Sequence, residues 1–241
     1  MRFLLHLAAL LLIGAPAALA QLPTIPNVTW PRLPAEATAA AGFAPPGWRT
    51  ETELRGDLNG DGIADLAFTL RAQDRANVIA HSGLGQNPLD SNPRILAIAF
   101  GRAAGGYTLA IQDHRLIPRH TDPVLSDAFD PEARNLAIQR GTLRVTLHSF
   151  ASAGSWGAGN RSFTFRWQEG RFALIGFDSM SVHRGSGATE DVSVNFLTRR
   201  MQISTGNIEH DRKRVQWRNL PARPLLSLGQ IEDGMEFDPA P

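Results

Sequence analysis

The sequence predicts a mainly β protein, an antiparallel sheet curled or doubled into a sandwich or open barrel, with a short N-terminal helix ahead of it. Three features predict this class. Short apolar or alternating runs recur between residues 66 and 204, Gly, Pro, Asn and Asp punctuate them, and no long helical period interrupts them.

At the N-terminus, Arg2 precedes an apolar run at residues 3–13, which Gly14 and Pro16 break ahead of Ala18-Leu19-Ala20. This is the order of parts in an export signal, with small residues at the cleavage subsites and a run shorter than the ~18 residues of a membrane span. Residues 1–20 are therefore expected to be a signal peptide whose removal leaves Gln21 first, in the periplasm or secreted. No Cys is present to carry a lipid or a disulfide, and no later segment is apolar enough to span a membrane. Residues 21–47 form a proline-rich lead-in. Pro23, Pro26, Pro31 and Pro34 favour an extended path, and the alanine-rich stretch 34–43 predicts the short helix, which Pro45-Pro46-Gly47 stops.

Residues 48–241 are expected to form a single β-rich domain. Runs at 66–71, 94–100 and 107–112 read as strands, the last two joined at Gly105-Gly106. A second hairpin runs from Leu136-Ala137-Ile138 through a turn near Arg140-Gly141 into the alternation Leu143, Val145, Leu147. A third carries Phe163, Phe165 and Trp167 outward, turns at Gln168-Glu169-Gly170, and returns through 172–177. Val192, Val194 and Phe196, then residues 201–204, supply a last pair.

Charge excludes some partners. Lys and Arg total 24 against 23 for Asp and Glu, so no overall field draws nucleic acid or anionic lipid. The basic stretch around Arg212-Lys213-Arg214, with Arg218 and Arg223, reads as a solvated face, and no histidine pair has zinc-site spacing.

One motif carries sharp chemistry: Asp57-Leu58-Asn59-Gly60-Asp61-Gly62-Ile63-Ala64-Asp65. Calcium takes six to eight oxygens at about 2.3–2.6 Å, and a tight loop supplies them from alternate residues. Asp57, Asn59 and Asp61 hold positions 1, 3 and 5, Gly62 the sharp turn, and Ile63 a carbonyl ligand. Position 12, where an EF-hand closes with glutamate, is Phe68, so Asp65 is expected to close the site through both oxygens. Three carboxylates on one turn repel one another unless a cation, here Ca2+, lies between them.

The loop resembles the calcium loops of FG-GAP repeats in the integrin α-subunit, where the same pattern runs straight into a strand, as it does here into Leu66-Ala67-Phe68. That resemblance covers about a dozen residues and implies calcium without a propeller, since the loop has no second copy. Dockerins share only its first half and continue into a helix. The wider order of Pro45-Pro46-Gly47-Trp48, the loop, Asn92-Pro93-Arg94-Ile95-Leu96, Gly154-Ser155-Trp156 and Ser193-Val194-Asn195-Phe196 resembles a family of exported bacterial proteins, which implies export and supplies no activity.

Two functional classes follow. In one the chain is a non-catalytic binding or structural module of the bacterial envelope, its loop rigidified by calcium and its partner a protein or small-molecule ligand. In the alternative it is a periplasmic or secreted hydrolase assembled from His148, Ser155, Asp178 and His183, although no G-x-S-x-G elbow surrounds Ser155. Polar segments 154–160 and 183–191 are further candidate sites.

Overall fold

The computed structural model describes residues 23–130 and 133–240; the expected signal peptide lies outside them. In chain order the strands are β1 (Glu36–Ala37), β2 (Trp48–Gly56), β3 (Asp65–Ala72), β4 (Val78–Ile79), β5 (Leu89–Asp90), β6 (Arg94–Gly101) and β7 (Tyr107–Asp113). They continue as β8 (Leu136–Gln139), β9 (Thr142–Phe150), β10 (Gly157–Gln168), β11 (Arg171–His183), β12 (Ala188–Asn195), β13 (Arg200–Asn207) and β14 (His210–Asn219). Strand occupies 49% of the residues and helix 5%, so the expected class is right.

Every pairing is antiparallel. One sheet has five strands, ordered β1-β7-β6-β3-β2, and another has seven, ordered β14 to β8 without a crossover. A third pairs β4 with β5, and one sheet curls into a half-barrel.

The five-stranded sheet is buried on both faces. On one, Leu66, Phe68, Leu70, Ile95, Ala97 and Ala99 pack against Leu33, Ala40 and Phe43 of the lead-in, with the Phe43 and Phe68 rings 5.4 Å apart. On the other, Ala67, Leu96 and Ile98 meet the seven-stranded sheet through Val145, Phe163, Phe165 and Phe177. Strands covered on both sides have no polar face to show, hence the nearly unbroken apolar runs of β3 and β6. The seven-stranded sheet is different: only its end near the Gln168 turn is covered, and β14 is exposed at every residue.

The hairpin turns fall where expected. Arg140-Gly141 and Glu169-Gly170 each have positive φ at both residues, as a two-residue turn between twisted strands demands. The helix expected over 34–43 is absent. Glu36 and Ala37 pair with Thr108 and Tyr107, and only one 3-10 turn, Ala40–Phe43, follows. Ladder pairing and the seating of Phe43 on Phe68 outweigh a small alanine propensity. Besides the two-residue strands β1, β4 and β5, two long strands escaped the alternation reading, β2 and β14, because charged residues occupy the positions where apolar ones would mark a face.

Burial on both faces also traps charge. Arg71 and Arg94 lie directly opposite each other on β3 and β6, a destabilising like-charge pair by itself. The register of β2 slips between Thr50 and Thr52, so Glu51 is an extra residue in a β-bulge, re-aimed toward the two arginines. Arg94 Nε and Nη2 donate to Glu51 at 2.6 and 3.0 Å, and Nη1 donates to Asp127 at 2.8 Å. Arg71 reaches Glu51 at 3.3 Å and Asp90 at 3.2 Å. The Arg94 and Glu51 side chains are 2% and 3% exposed, so removing one partner strands a buried charge. Glu51→Gln is expected to lower stability by about 3 kcal/mol. Arg144→Met, which breaks the half-exposed pair with Asp178, should change it by less than about 1 kcal/mol. Urea unfolding of both variants distinguishes these cases, and equal losses would refute the assignment.

Asp113, at the end of β7, gives a pH signature. Its Oδ1 accepts N–H bonds from Arg115 at 3.1 Å and Leu116 at 2.9 Å. Burial pushes its carboxyl above the ordinary range, further than these bonds pull it back. With the folded value above the unfolded one, stability from the protonated form is full below the unfolded pKa and is lost as pH rises through the folded one. Asp113→Asn keeps an acceptor oxygen and loses the charge. It should therefore be at least as stable as wild type at pH 7, with the difference vanishing towards pH ~4. Thermal melts across that range are the measurement, and a variant less stable at pH 7 would be the contrary result.

Candidate functional site

The loop at 57–64 joins β2 to β3, and Asp65 opens β3 opposite Gly56. Leu58, 3% exposed, anchors it in the core between the sheets, while Gly60, Asp61, Gly62 and Ala64 face solvent. Gly60 and Gly62 have φ of +83° and +81°, a left-handed backbone that glycine adopts without strain, as expected at Gly62 for the sharp turn.

Each Asx side chain is turned onto the loop's own backbone. Asp57 accepts from the Gly60 and Gly62 N–H groups at 2.7 and 3.0 Å. Asn59 Oδ1 accepts from Asp61 N–H at 3.0 Å, and its Nδ2 donates to Asp61 Oδ2 at 3.0 Å. Asp61 Oδ1 accepts from Ile63 N–H at 2.8 Å. The loop is thus pre-shaped, with Asp57, Asn59 and Asp61 bunched around successive N–H groups.

Asp65 holds this loop to the rest of the protein. It is fully buried, its Oδ2 accepting from Leu58 and Asn59 N–H at 2.8 and 3.3 Å and its Oδ1 from Gly101 N–H at 2.9 Å. Burial pushes its carboxyl above the ordinary range, the three backbone bonds pull it down, and the charge of Asp61 adds a smaller upward push.

An oxygen-only donor set of Asp57, Asn59, Asp61, the Ile63 carbonyl and Asp65 suits a hard cation such as calcium in kind. Closure by Asp65 through both oxygens does not fit. Three of its roughly four lone-pair sites are taken by N–H groups, leaving one for an ion. Among the described residues no three His, Cys, Asp or Glu side chains are gathered to hold a metal, consistent with carboxylates that face backbone instead of one another.

Sequence reasoning passed over Gly101. A Cβ there would lie 2.5 Å from the Ala64 carbonyl oxygen and 2.7 Å from Ile63 Cγ2, so only glycine lets β6 approach closely enough to donate to Asp65. Nothing local marks it, because its partner is 36 residues away.

The four residues proposed for hydrolysis are not brought together. Asp178 and His183, five apart on β11, point to opposite faces. Asp178 binds Arg144 at 3.1 Å and Ser193 at 2.7 Å, and His183 binds Ser186 at 2.9 Å within its own turn. His148 shares the Asp178 face but lies two strands and two residues away, roughly 12 Å. Ser155 Oγ accepts from Gly157 N–H at 3.1 Å. Of the candidate segments 154–160 and 183–191, residues 157–160 of the first belong to β10, and in the second the turn at 184–187 joins His183 at the end of β11 to β12. The two segments are tied together through Arg184, whose N–H donates to the Trp156 carbonyl at 2.8 Å and whose guanidinium lies 4.3 Å from the Phe150 ring centroid.

Comparison with known proteins returns no match: no family model, no curated protein and no solved structure is similar to this chain.

If Asp65 organises the loop by itself, its loss is felt without any ion. Asp65→Ala strands buried N–H groups, each worth about 1–3 kcal/mol, so chelator-treated protein is expected to lose at least about 2 kcal/mol. Urea unfolding in chelator measures it, and a loss confined to calcium-containing buffer would assign Asp65 to the ion alone.

Proposed function

We propose that this chain is an exported calcium-binding β protein of the bacterial envelope, a non-catalytic binding or structural module whose loop at 57–65 takes the ion. One observation carries the reading. Asp57, Asp61 and Asp65 put three negative charges in nine residues, one fully buried, and among the described residues none of the three has a cationic partner. A cation relieves that repulsion, and the exposed oxygens of Asp57, Asn59 and Asp61 with the Ile63 carbonyl are the accessible ligands, Asp65 adding its remaining lone pair. Extracellular modules of this kind bind at about 10⁻⁴ to 10⁻³ M, so the ion acts as a brace more than a signal. Export rests on the signal-like residues 1–20. Envelope protein is expected to begin at Gln21, which intact mass reads directly; full-length chain retained in the cytoplasm would defeat it.

Calcium is expected to raise the melting temperature, magnesium much less, because it demands a compact octahedron. At tenfold excess over Kd the ion adds about 1.4 kcal/mol. Asp61→Asn keeps the acceptor for Ile63 and removes one charge. It should melt like wild type in chelator yet gain only about 0.4 kcal/mol from the same calcium, if affinity falls about tenfold. Wild type indifferent to about 5 mM calcium, with no heat of binding, would sink the assignment.

A further inference from the structure

We propose a ligand site for a small amphipathic monoanion, a medium-chain carboxylate, at the end of the seven-stranded sheet remote in sequence from the loop at 57–65. After β14 the chain turns beneath the sheet through residues 220–227, and the C-terminal residues 237–240 close the other side. Between them lies a pocket of about 170 Å³ with apolar walls from Leu174, Phe196, Leu220, Leu226 and Phe237.

Hydrogen bonds preform its walls. Leu174 N–H donates to the Leu226 carbonyl at 2.7 Å, Leu220 N–H to the Arg199 carbonyl at 2.8 Å, and Arg161 Nη1 to the Phe237 carbonyl at 2.7 Å. Ligand sites are apolar clefts with a few convergent polar groups, and here those groups are Arg199, Arg223 and Asp238. Two guanidiniums against one carboxylate leave the lining one positive charge in excess, hence a monoanion. Among the described residues neither arginine has an ion pair, and Asp238 Oδ1 is engaged with the Ala240 N–H at 2.8 Å.

Size sets the rest of the ligand. The volume is below the ~300 Å³ at which drug-sized sites begin, so there is room for one medium-length chain or ring and not for a long acyl tail. Planar guanidinium suits a carboxylate head, which a charge-assisted bond holds at the rim while the chain enters the apolar floor. Arg199 sits at φ +55°, placed at the mouth by the β12–β13 turn. The site is independent of the calcium reading and stands or falls without it.

The test is calorimetric titration of the full chain with octanoate and with 1-octanol, in calcium and in chelator. Octanoate is expected to bind with Kd below about 1 mM under both conditions, and octanol at least about tenfold more weakly. Arg223→Gln and Arg199→Asn, the latter tolerant of positive φ, should each weaken octanoate about tenfold, whereas Arg212→Gln on the exposed β14 strand should not. Amide shift changes in the wild type should centre on Leu174, Phe196 and Phe237, which keeps the proposal testable should a variant fail to fold. Equal affinity for octanol, indifference to both pocket arginines, an equal effect of Arg212→Gln, shifts centred elsewhere, or no heat at all would overturn it.

Discussion

Burial of the five-stranded sheet on both faces is the constraint on which the rest of this protein depends. A sheet with one wet face lets its polar groups point to water, but this one is roofed by the lead-in and floored by the second sheet. Polar side chains turned toward its central strands β3 and β6 must find a partner inside. Glu51 leaves its ladder through a bulge to meet Arg94, and Asp65 turns inward to satisfy three N–H groups. The solution is incomplete, since Arg71 Nε is buried without an acceptor. The network also reaches Asp90 on β5 and Asp127 in the long connection to β8, so it fastens both to the sheet that bears the loop at 57–65.

The seven-stranded sheet obeys a looser rule. Its strands pair only with sequence neighbours, so its register is set by local turns, and just one end carries the aromatic packing of Phe100, Trp167 and Phe172. Beyond that end β10 and β11 run on with polar residues, their turns braced by Arg184 and by Asn207, whose Nδ2 donates to the Ser186 carbonyl at 2.8 Å. Without a second layer over this half, surface chemistry is free of packing demands. The pocket lined by Arg199 and Arg223 lies at the opposite, covered end of the sheet, where Leu174, Phe196 and Leu220 meet.

In the loop at 57–65 one carboxylate serves folding, while its neighbours are the ones the proposed calcium site would use. Asp65 is spent on backbone, and its burial explains why the loop keeps its shape against the repulsion of Asp57 and Asp61. The residues that remain accessible are those whose geometry a cation would use. With the organising acid inside and Asp57 and Asp61 nearer solvent, the loop keeps its shape whether or not the proposed ion is bound.

How much of this was legible follows from the range of each interaction. Short-range signals were sufficient for the class, the turns at Gly105-Gly106, Arg140-Gly141 and Glu169-Gly170, and the Asx-rich turn at Asp57, Asn59 and Asp61, because side-chain alternation and turn residues act within a few positions. Strands β2 and β14 were hidden, since partial or full exposure lets a strand be written in charged residues. The expected helix gave way to β1 because Tyr107 and Thr108, far later in the chain, offered ladder bonds to Ala37 and Glu36. Arg94 meeting Glu51, Gly101 meeting Asp65, and the pocket under β14 all join residues far apart in sequence, and no local pattern encodes a distant partner. The sequence by itself determined which segments extend, where they turn, and that one turn is rich in oxygen ligands. Only the tertiary structure decided which charges are buried and which face solvent, because the dielectric around a side chain is a property of the packed neighbours and not of the residue.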